Sequence, residues 1–492
     1  MARINTNIPS LIAQANLART SIDLAVHLER LSTGLRINRA ADDPAGLIVA
    51  ERLRSEVMGI SQAVTNSERA SSMIATTEGY LAEVSDLLNS IRGLIVEAAN
   101  RAGLSRDELE ANQLQVNSAI EAINRISNVA TFAGLQLLNG SLDYITSGIV
   151  TGDIVDVTIF SAQFGRNTHI PVEIEVVSSA QTASLFLSGN TTGAPGALLS
   201  SVTLEIAGNF GVQTVSFLSG TSLASVANAI NTLRDATGVS ASLVNPMDAT
   251  SGLTFNSVGY GSSEFVSVRE FGPGGAFFSL QRAQGGQTVD RDEGRDVAAV
   301  VNGTIAVGNG LEVQLNTPAL GMQLTLSPAY AQTLGVERTF EITGGGAVFQ
   351  LGPRITFGQQ VGVGVQSVSE SRLGGTMIDG VRYFLESIKS GQANSLIGGS
   401  AEEAARILDA AIDEVAILRG RLGAFERNMI ETNIRSLQIG LENITAAESR
   451  VRDADFAREI AALTRAQILI QAGTSVLATA NLTGQSVLAL LQ

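Results

Sequence analysis

Side chains able to carry catalytic or metal chemistry are scarce in this 492-residue sequence. Histidine occurs only at His27 and His169, and cysteine is absent. A thiolate zinc site, a Cys–His nucleophile pair and an HExxH protease motif therefore have no material to form from. His27 falls in a helical stretch and His169 in a β-type segment, and each is expected to play a structural part. No GxxxxGK loop for phosphate occurs. The densest acidic run, DRDEGRD, holds Asp290, Asp292, Glu293 and Asp296. A calcium loop needs Gly at its sixth position and Glu at its twelfth, so this run is expected to be a solvated loop. Asp42 and Asp43 stand just before Pro44. Asp43 suits an N-cap and Pro44 the first helical position, where its missing N–H leaves nothing unsatisfied. No catalytic, cofactor-binding or metal-binding set is expected, no cofactor is implied, and the chain does not read as an enzyme.

Composition narrows the class further. A net charge of −15 argues against nucleic-acid binding, which rests on a basic face and counterion release. Absence of cysteine makes the chain indifferent to redox compartment. No run approaches the roughly 18 uninterrupted apolar residues of a membrane span, so no membrane insertion is expected. The start MARINTNIPSLIAQ lacks the charged, apolar and small-residue regions of a secretory signal. Composition alone then suggests a cytoplasmic protein. Of 32 Lys and Arg, only Lys389 is lysine. That bias suits packed interfaces with carboxylates, and equally a GC-rich coding sequence.

The elements that must position these residues are long helices at both ends. Near the C-terminus Phe456, Ile460, Leu463, Ile470 and Leu477, with Gln467 and Thr474, follow a three-four alternation, leaving Arg458, Glu459 and Arg465 opposite. Leu17, Ser21, Leu24, Leu28, Leu31 and Leu35 repeat that alternation near the N-terminus, so the two ends are expected to pair. Residues 1 to 10, with Asn5, Thr6, Asn7 and Pro9, read as a flexible lead, and helix begins near Ser10. A helix from Ala45 to about Asn100 would span about 80 Å, which suggests a rod. Ser105 and Glu108 stand at capping-box spacing ahead of a second, antiparallel helix. Further on, Leu408 to Met429 forms a seam that slips by one residue before Ile430, Ile434, Leu437, Leu441 and Ile444 continue it, a local change of register.

Between Ser141 and Gly345 short alternating runs replace the helical stripes. A strand-strand-helix-strand unit is expected over Val202 to Leu243, and hairpins where Asn302-Gly303 and Asn309-Gly310 interrupt apolar alternation. Residues 346 to 400 read as transitional, with strands in FQLGPRITF and VGVGVQSV and a short helix around Val381 to Ile388. The fold class is α+β and multidomain: a long antiparallel, coiled-coil-like helical rod built from both chain ends, with a β-rich central insertion.

These motifs resemble those of bacterial flagellins. INTN at Ile4 to Asn7, LERLSTGLRIN at Leu28 to Asn38, ADDPAG at Ala41 to Gly46 and TTEG at Thr76 to Gly79 carry the N-terminal likeness. SRVRDADFA at Ser449 to Ala457, LTRAQIL at Leu463 to Leu469, QAGTS at Gln471 to Ser475 and SVL at Ser486 to Leu488 carry the C-terminal one. The middle matches weakly around Val202 to Leu243. The resemblance implies a structural subunit of the flagellar filament that self-assembles through its terminal helices into a helical tube used for swimming. Terminal helices (1–43 and 455–492) would form the inner core, a helical rod (44–140 and 346–454) would lie outside it, and the insertion (141–345) would face solvent. Partners so implied are further copies of the chain, the type III flagellar export apparatus, an export chaperone, and the hook-associated and cap proteins. The resemblance also implies an extracellular location reached without a cleaved signal, in place of the cytoplasmic one.

Burying the leucines between Leu17 and Leu35 falls short of the entropy lost in ordering that helix, so both ends are expected to be disordered in the monomer and to fold against neighbouring copies. Flagellins detected by the toll-like flagellin receptor carry arginine where this chain has Ser90 and, allowing one inserted residue, glutamate where it has Gln115. Leu94 is kept, and weak detection is the expectation. A hook-filament junction protein is the alternative reading within the same class.

Overall fold

The computed structural model describes residues 6–191, 195–271, 278–282, 284–378 and 380–489. Ile4 and Asn5 of the first motif lie outside them, as do the side chains of Ser486, Val487 and Leu488. Helices α1 (Ile8–Thr33), α2 (Pro44–Ala99) and α3 (Arg106–Val129) precede a β-rich middle that contains α4 (Leu223–Thr232), and α5 (Ala401–Phe425), α6 (Glu431–Arg452) and α7 (Phe456–Ala489) follow it. The chain divides into two compact units.

One unit gathers residues up to 75, 349–360 and 422 onward. α1 begins two residues earlier than periodicity suggests, because the Asn7 side chain accepts the Ser10 N–H at 3.2 Å and Pro9 sits in the first turn, where it costs no hydrogen bond. In α2, Ala50, Ile60, Ala63, Ala70 and Met73 are buried, whereas Ile434, Leu437, Leu441 and Ile444 of α6 stay half-buried. A π-helical turn, Glu426–Ile430, joins α5 to α6 without a break. It takes up the one-residue slip read in the seam, because an i→i+5 turn holds one residue more than an α-turn.

The other unit holds residues 76–348 and 361–421. Leu81, Val84, Leu88, Ile91, Ile95 and Ala98 of α2 are buried, as are Val116, Ile120 and Ile123 of α3 and Ile407, Leu408, Ala411 and Val415 of α5. The Ser105–Glu108 capping box is present, and Arg92–Asp409 (3.4 Å) and Arg419–Glu78 (4.0 Å) tie α2 to α5. The middle opens with β1 (Tyr144–Ser147), β2 (Ile154–Ala162), β3 (Ile170–Ser178) and β4 (Ser184–Leu187), then β5 (Val202–Gly208), β6 (Gly211–Phe217), β7 (Val239–Asn245), β8 (Asp248–Ser257), β9 (Phe265–Phe271) and β10 (Leu280–Gln281). It closes with β11 (Arg291–Glu293), β12 (Ala298–Val301), β13 (Thr304–Asn309), β14 (Glu312–Asn316), β15 (Leu320–Leu326) and β16 (Glu337–Gly345).

Eight of these strands form one antiparallel sheet in the order β1-β16-β3-β12-β13-β14-β15-β2 around a core that includes Val172, Ile174, Met322, Leu324 and Phe340. Asn302 and Gly303, at φ +49° and +74°, make the two-residue turn between β12 and β13, where both central residues need positive φ. A second β body stacks sheets β10-β4-β8-β7 and β11-β9-β5-β6 with α4 on a core including Leu204, Ile206, Val226, Ile230 and Phe255. Its β5-β6-α4-β7 order is the strand-strand-helix-strand unit.

Two expectations need correction. Val381–Tyr383 is a strand paired with Thr376–Ile378, since Gly380 at φ +81° turns the chain back, and only Leu385–Ile388 is helical, as a 3-10 turn. DRDEGRD is not a solvated loop. Its Arg291–Glu293 forms a strand on β9, and alternation turns Asp292 inward, leaving it 8% exposed.

Candidate self-assembly surface

The surface is built from α1, α7 and the two short connectors that aim them. α1 stops at Gly34, whose left-handed backbone (φ +73°) lets its N–H donate to Arg30 O at 2.9 Å. The connectors then pair. Arg36 N donates to Arg452 O at 2.7 Å and Ala454 N to Gly34 O at 2.9 Å, with Leu35 opposite Asp453. Asp455 opens α7 by accepting the Ala457 and Arg458 N–H groups at 3.0 and 3.2 Å. At the start of α2, Asp43 Oδ1 accepts the Gly46 N–H at 2.8 Å just ahead of Pro44, while Asp42 accepts from Asn38 and Arg39. Those two bonds, to the backbone of Arg39 first, hold the Asp42 carboxyl below its ordinary range.

α1 and α7 lie antiparallel. Asn7 Nδ2 donates to Ala480 O at 2.8 Å and Ser10 Oγ to Asn481 Oδ1 at 2.9 Å near one end. Toward the other, His27 Nδ1 stands 2.5 Å from Glu459 Oε2, and Arg30 donates to Glu459 Oε1 at 3.2 Å. The covered line on α1 is Ser10, Ala13, Leu17, Thr20, Leu24, His27 and Leu31, and on α7 Glu459, Leu463, Ala466, Ile470, Gly473, Leu477 and Ala480. Every step is three or four residues. Small side chains bring the helices close, and a Cβ on Gly473 would stand 3.3 Å from Leu17 Cδ1.

Of the residues read as the seam, Leu17, Leu24, Leu31, Leu35, Leu463, Ile470 and Leu477 are half-buried. Leu28, Phe456 and Ile460 point away, at 50%, 54% and 52% exposed. Glu459, placed by periodicity on the outer face, lies on the covered line instead. Its desolvation is outweighed by hydrogen bonds from His27 and Arg30 and by the Arg30 charge, so its carboxyl sits below the ordinary value. The signal for this cluster was present, since His27 stands three residues after Leu24 and four before Leu31, and Glu459 four before Leu463. Polarity hid it.

Apolar residues gather outside that line. Ile8, Leu11, Ile12, Ile22 and Leu28 on α1 and Phe456, Ile460, Ile468, Leu469, Val476 and Leu482 on α7 are all exposed. By length and composition the stretch Phe456–Leu482 meets the requirement for a membrane span, and almost none of it is buried. Ser90 and Gln115 are exposed and Leu94 half-buried, on α2 and α3. His169 is exposed just before β3, beside Thr168 Oγ1 at 3.0 Å. Among the described residues no group of His, Asp or Glu could hold a metal ion.

Comparison with known proteins matches the profile of the bacterial flagellin N-terminal helical region to residues 4–143 and that of the C-terminal helical region to 405–491. The flagellin hook IN motif matches 203–259. A flagellin of Salmonella muenchen is 28% identical over 99% of each chain, and flagellin B of Helicobacter pylori is 28% identical over 100% of this chain and 99% of its own. A solved flagellar hook associated protein-3 from Legionella pneumophila covers 82% of this chain and 98% of its own at 13% identity, with a TM-score of 0.31 that carries no argument. Helical profiles matched in order at both ends, with relatives aligned along the whole length, place the chain in the bacterial flagellin family, the structural proteins of the flagellar filament.

Proposed function

We propose that the chain self-assembles into the flagellar filament by covering the exposed apolar faces of α1 and α7 with the same faces of neighbouring copies. One observation carries the reading: the two helices meet along a line that alternates leucine or isoleucine with small and polar residues, and they still leave eleven large apolar side chains in water. Contiguous apolar exposure of this kind calls for a partner. A contact between different faces of identical chains repeats without closing and generates a helical polymer. On this reading residues 1–43 and 455–492 form the inner tube, 44–140 and 346–454 a coiled-coil-like rod around it, and 141–345 the outer surface. The product is a non-catalytic, extracellular filament that drives swimming. Its subunits leave the cell through the flagellar export apparatus with a chaperone and without a cleaved signal, and meet hook-associated and cap proteins at the filament ends.

Negative-stain electron microscopy after addition of a nucleating salt tests this. Full-length protein is expected to form filaments, and a variant lacking Phe456 to Gln492 none. Filaments from the truncated protein would overturn the assignment of assembly to these helices. Failure of both would favour a hook-filament junction protein.

A further inference from the structure

We propose that the cavity at the neck between the two β bodies binds a small tetrahedral oxyanion, of the phosphate or sulfate class, through Arg282, Arg291 and Arg295. The neck is where the chain leaves the eight-stranded sheet after β3 and returns before β12. There Gln181 N donates to Arg295 O at 2.8 Å and Arg295 N to Gln181 O at 2.9 Å. Asp296 fastens the return, accepting from Ser262 N and Gly310 N at 2.9 and 2.8 Å. Beside these crossings lies an open-mouthed cavity of about 490 Å³.

Three guanidinium groups line it, in a chain whose net charge is −15. Two carboxylates in the lining offset two of these charges, which leaves a net +1 on the Arg295 side. Asp292 is 8% exposed and both its oxygens are occupied, by Arg282 Nε at 2.7 Å and Ser184 N at 3.0 Å. Glu293 pairs with Arg291 at 3.2 Å on the solvated rim, where such a pair holds weakly. Arg291 is also stacked on the Phe265 ring, 4.0 Å from its centroid, which fixes its plane. The Arg295 guanidinium makes no ion pair or hydrogen bond with any described residue. Each guanidinium carries five N–H donors in a rigid fork. With Arg282 Nε committed to Asp292 and Arg291 Nη2 to Glu293, the remaining donors still outnumber what the two oxygens of a carboxylate can accept, and a tetrahedral oxyanion answers more of them. The DRDEGRD run thus becomes an anion site through its arginines. Bound there, the anion would bridge β10, β11 and the return crossing and stiffen the neck.

Isothermal titration calorimetry of the full-length monomer, at ionic strength held constant with sodium chloride, provides the test. Sodium phosphate and sodium sulfate are expected to bind saturably at one site, and sodium acetate at least tenfold more weakly. Arg295→Gln should weaken phosphate at least fivefold with an unchanged melting curve, and Arg295→Lys should fall between it and the wild type. Arg234→Gln, an exposed arginine elsewhere in the same β body, should leave binding unchanged. The proposal is overturned if neither phosphate nor sulfate binds saturably, if acetate binds as well as they do, or if both Arg295 variants bind as the wild type does. None of these outcomes depends on filament formation.

Discussion

A carboxylate buried between two helices exerts leverage far beyond its size, and Glu459 holds that place. The covered line of the α1–α7 pair ends near its bonds to His27 and Arg30. Glu459→Gln leaves Arg30 covered without its counter-charge and is expected to raise the critical concentration for polymerisation about tenfold, the equivalent of roughly 1.4 kcal/mol. Sedimentation of polymer across a dilution series reads this. Because its folded pKa lies below the ordinary 4.5, the wild-type contribution is complete above that pH and is lost as pH falls through the depressed value. Glu414 on α5 is the opposite case. Desolvation, helped by the nearby Asp156 charge, raises its pKa above 4.5 despite hydrogen bonding from Gly374. Its ionisation therefore costs stability as pH rises through the folded value, and costs nothing below 4.5. Glu414→Gln should raise the melting temperature by roughly 1–3 °C at pH 7 and by nothing measurable at pH 4. An equal gain at both pH values would show that packing, not charge, is responsible.

Among the elements, the π-turn at Glu426–Ile430 shows how one extra residue is stored in a helix. Leu418 and Leu422 before it and Ile430 at its end are all buried, and the extra residue shifts the phase of the stripe that follows. Deleting the exposed Met429 should convert the turn to α-helix while keeping both flanking stripes covered. Helix content by circular dichroism is then expected to be unchanged and the melting temperature equal or up to about 3 °C higher. Loss of helix signal would show that the bulge itself is required. The slip is legible in the amino-acid order, because apolar spacing records the backbone's phase. Periodicity supplied most of the facing of α1 and α7, since Leu17, Leu24, Leu31, Leu463, Ile470 and Leu477 lie on the line where they meet. It missed that His27 and Glu459 share that line while Leu28, Phe456 and Ile460 point away. Small and polar residues alternate with leucine and isoleucine on the inner line, where they let the helices approach closely and form hydrogen bonds across the pair.

For the whole molecule, the exposed stripes predict that tryptic sites at Arg19, Arg30, Arg458 and Arg465 are cut in dilute monomer and protected in filaments. Mass spectrometry of digests taken before and after polymerisation decides this, and ends that resist trypsin in the monomer would contradict it. A second consequence concerns the exposed pair Ser90 and Gln115. Ser90→Arg combined with Gln115→Glu is expected to raise receptor-reporter activation at least tenfold over the parent chain. Equal activation by both would refute the expectation of weak detection.

The sequence by itself determined the long helices and the strand-strand-helix-strand unit and their order, because apolar periodicity, the Ser105–Glu108 box and the Asn302-Gly303 turn are local and the backbone obeys them locally. It determined also that catalytic side chains are scarce, which is a matter of composition. Tertiary structure alone decided that Leu28, Phe456 and Ile460 face outward, that Glu459 is buried, and that DRDEGRD pairs as a strand with Asp292 inside. Each of those outcomes depends on a partner hundreds of positions away or in another strand. A charged residue is driven inward only when such a partner supplies its counter-charge, and no local pattern announces that.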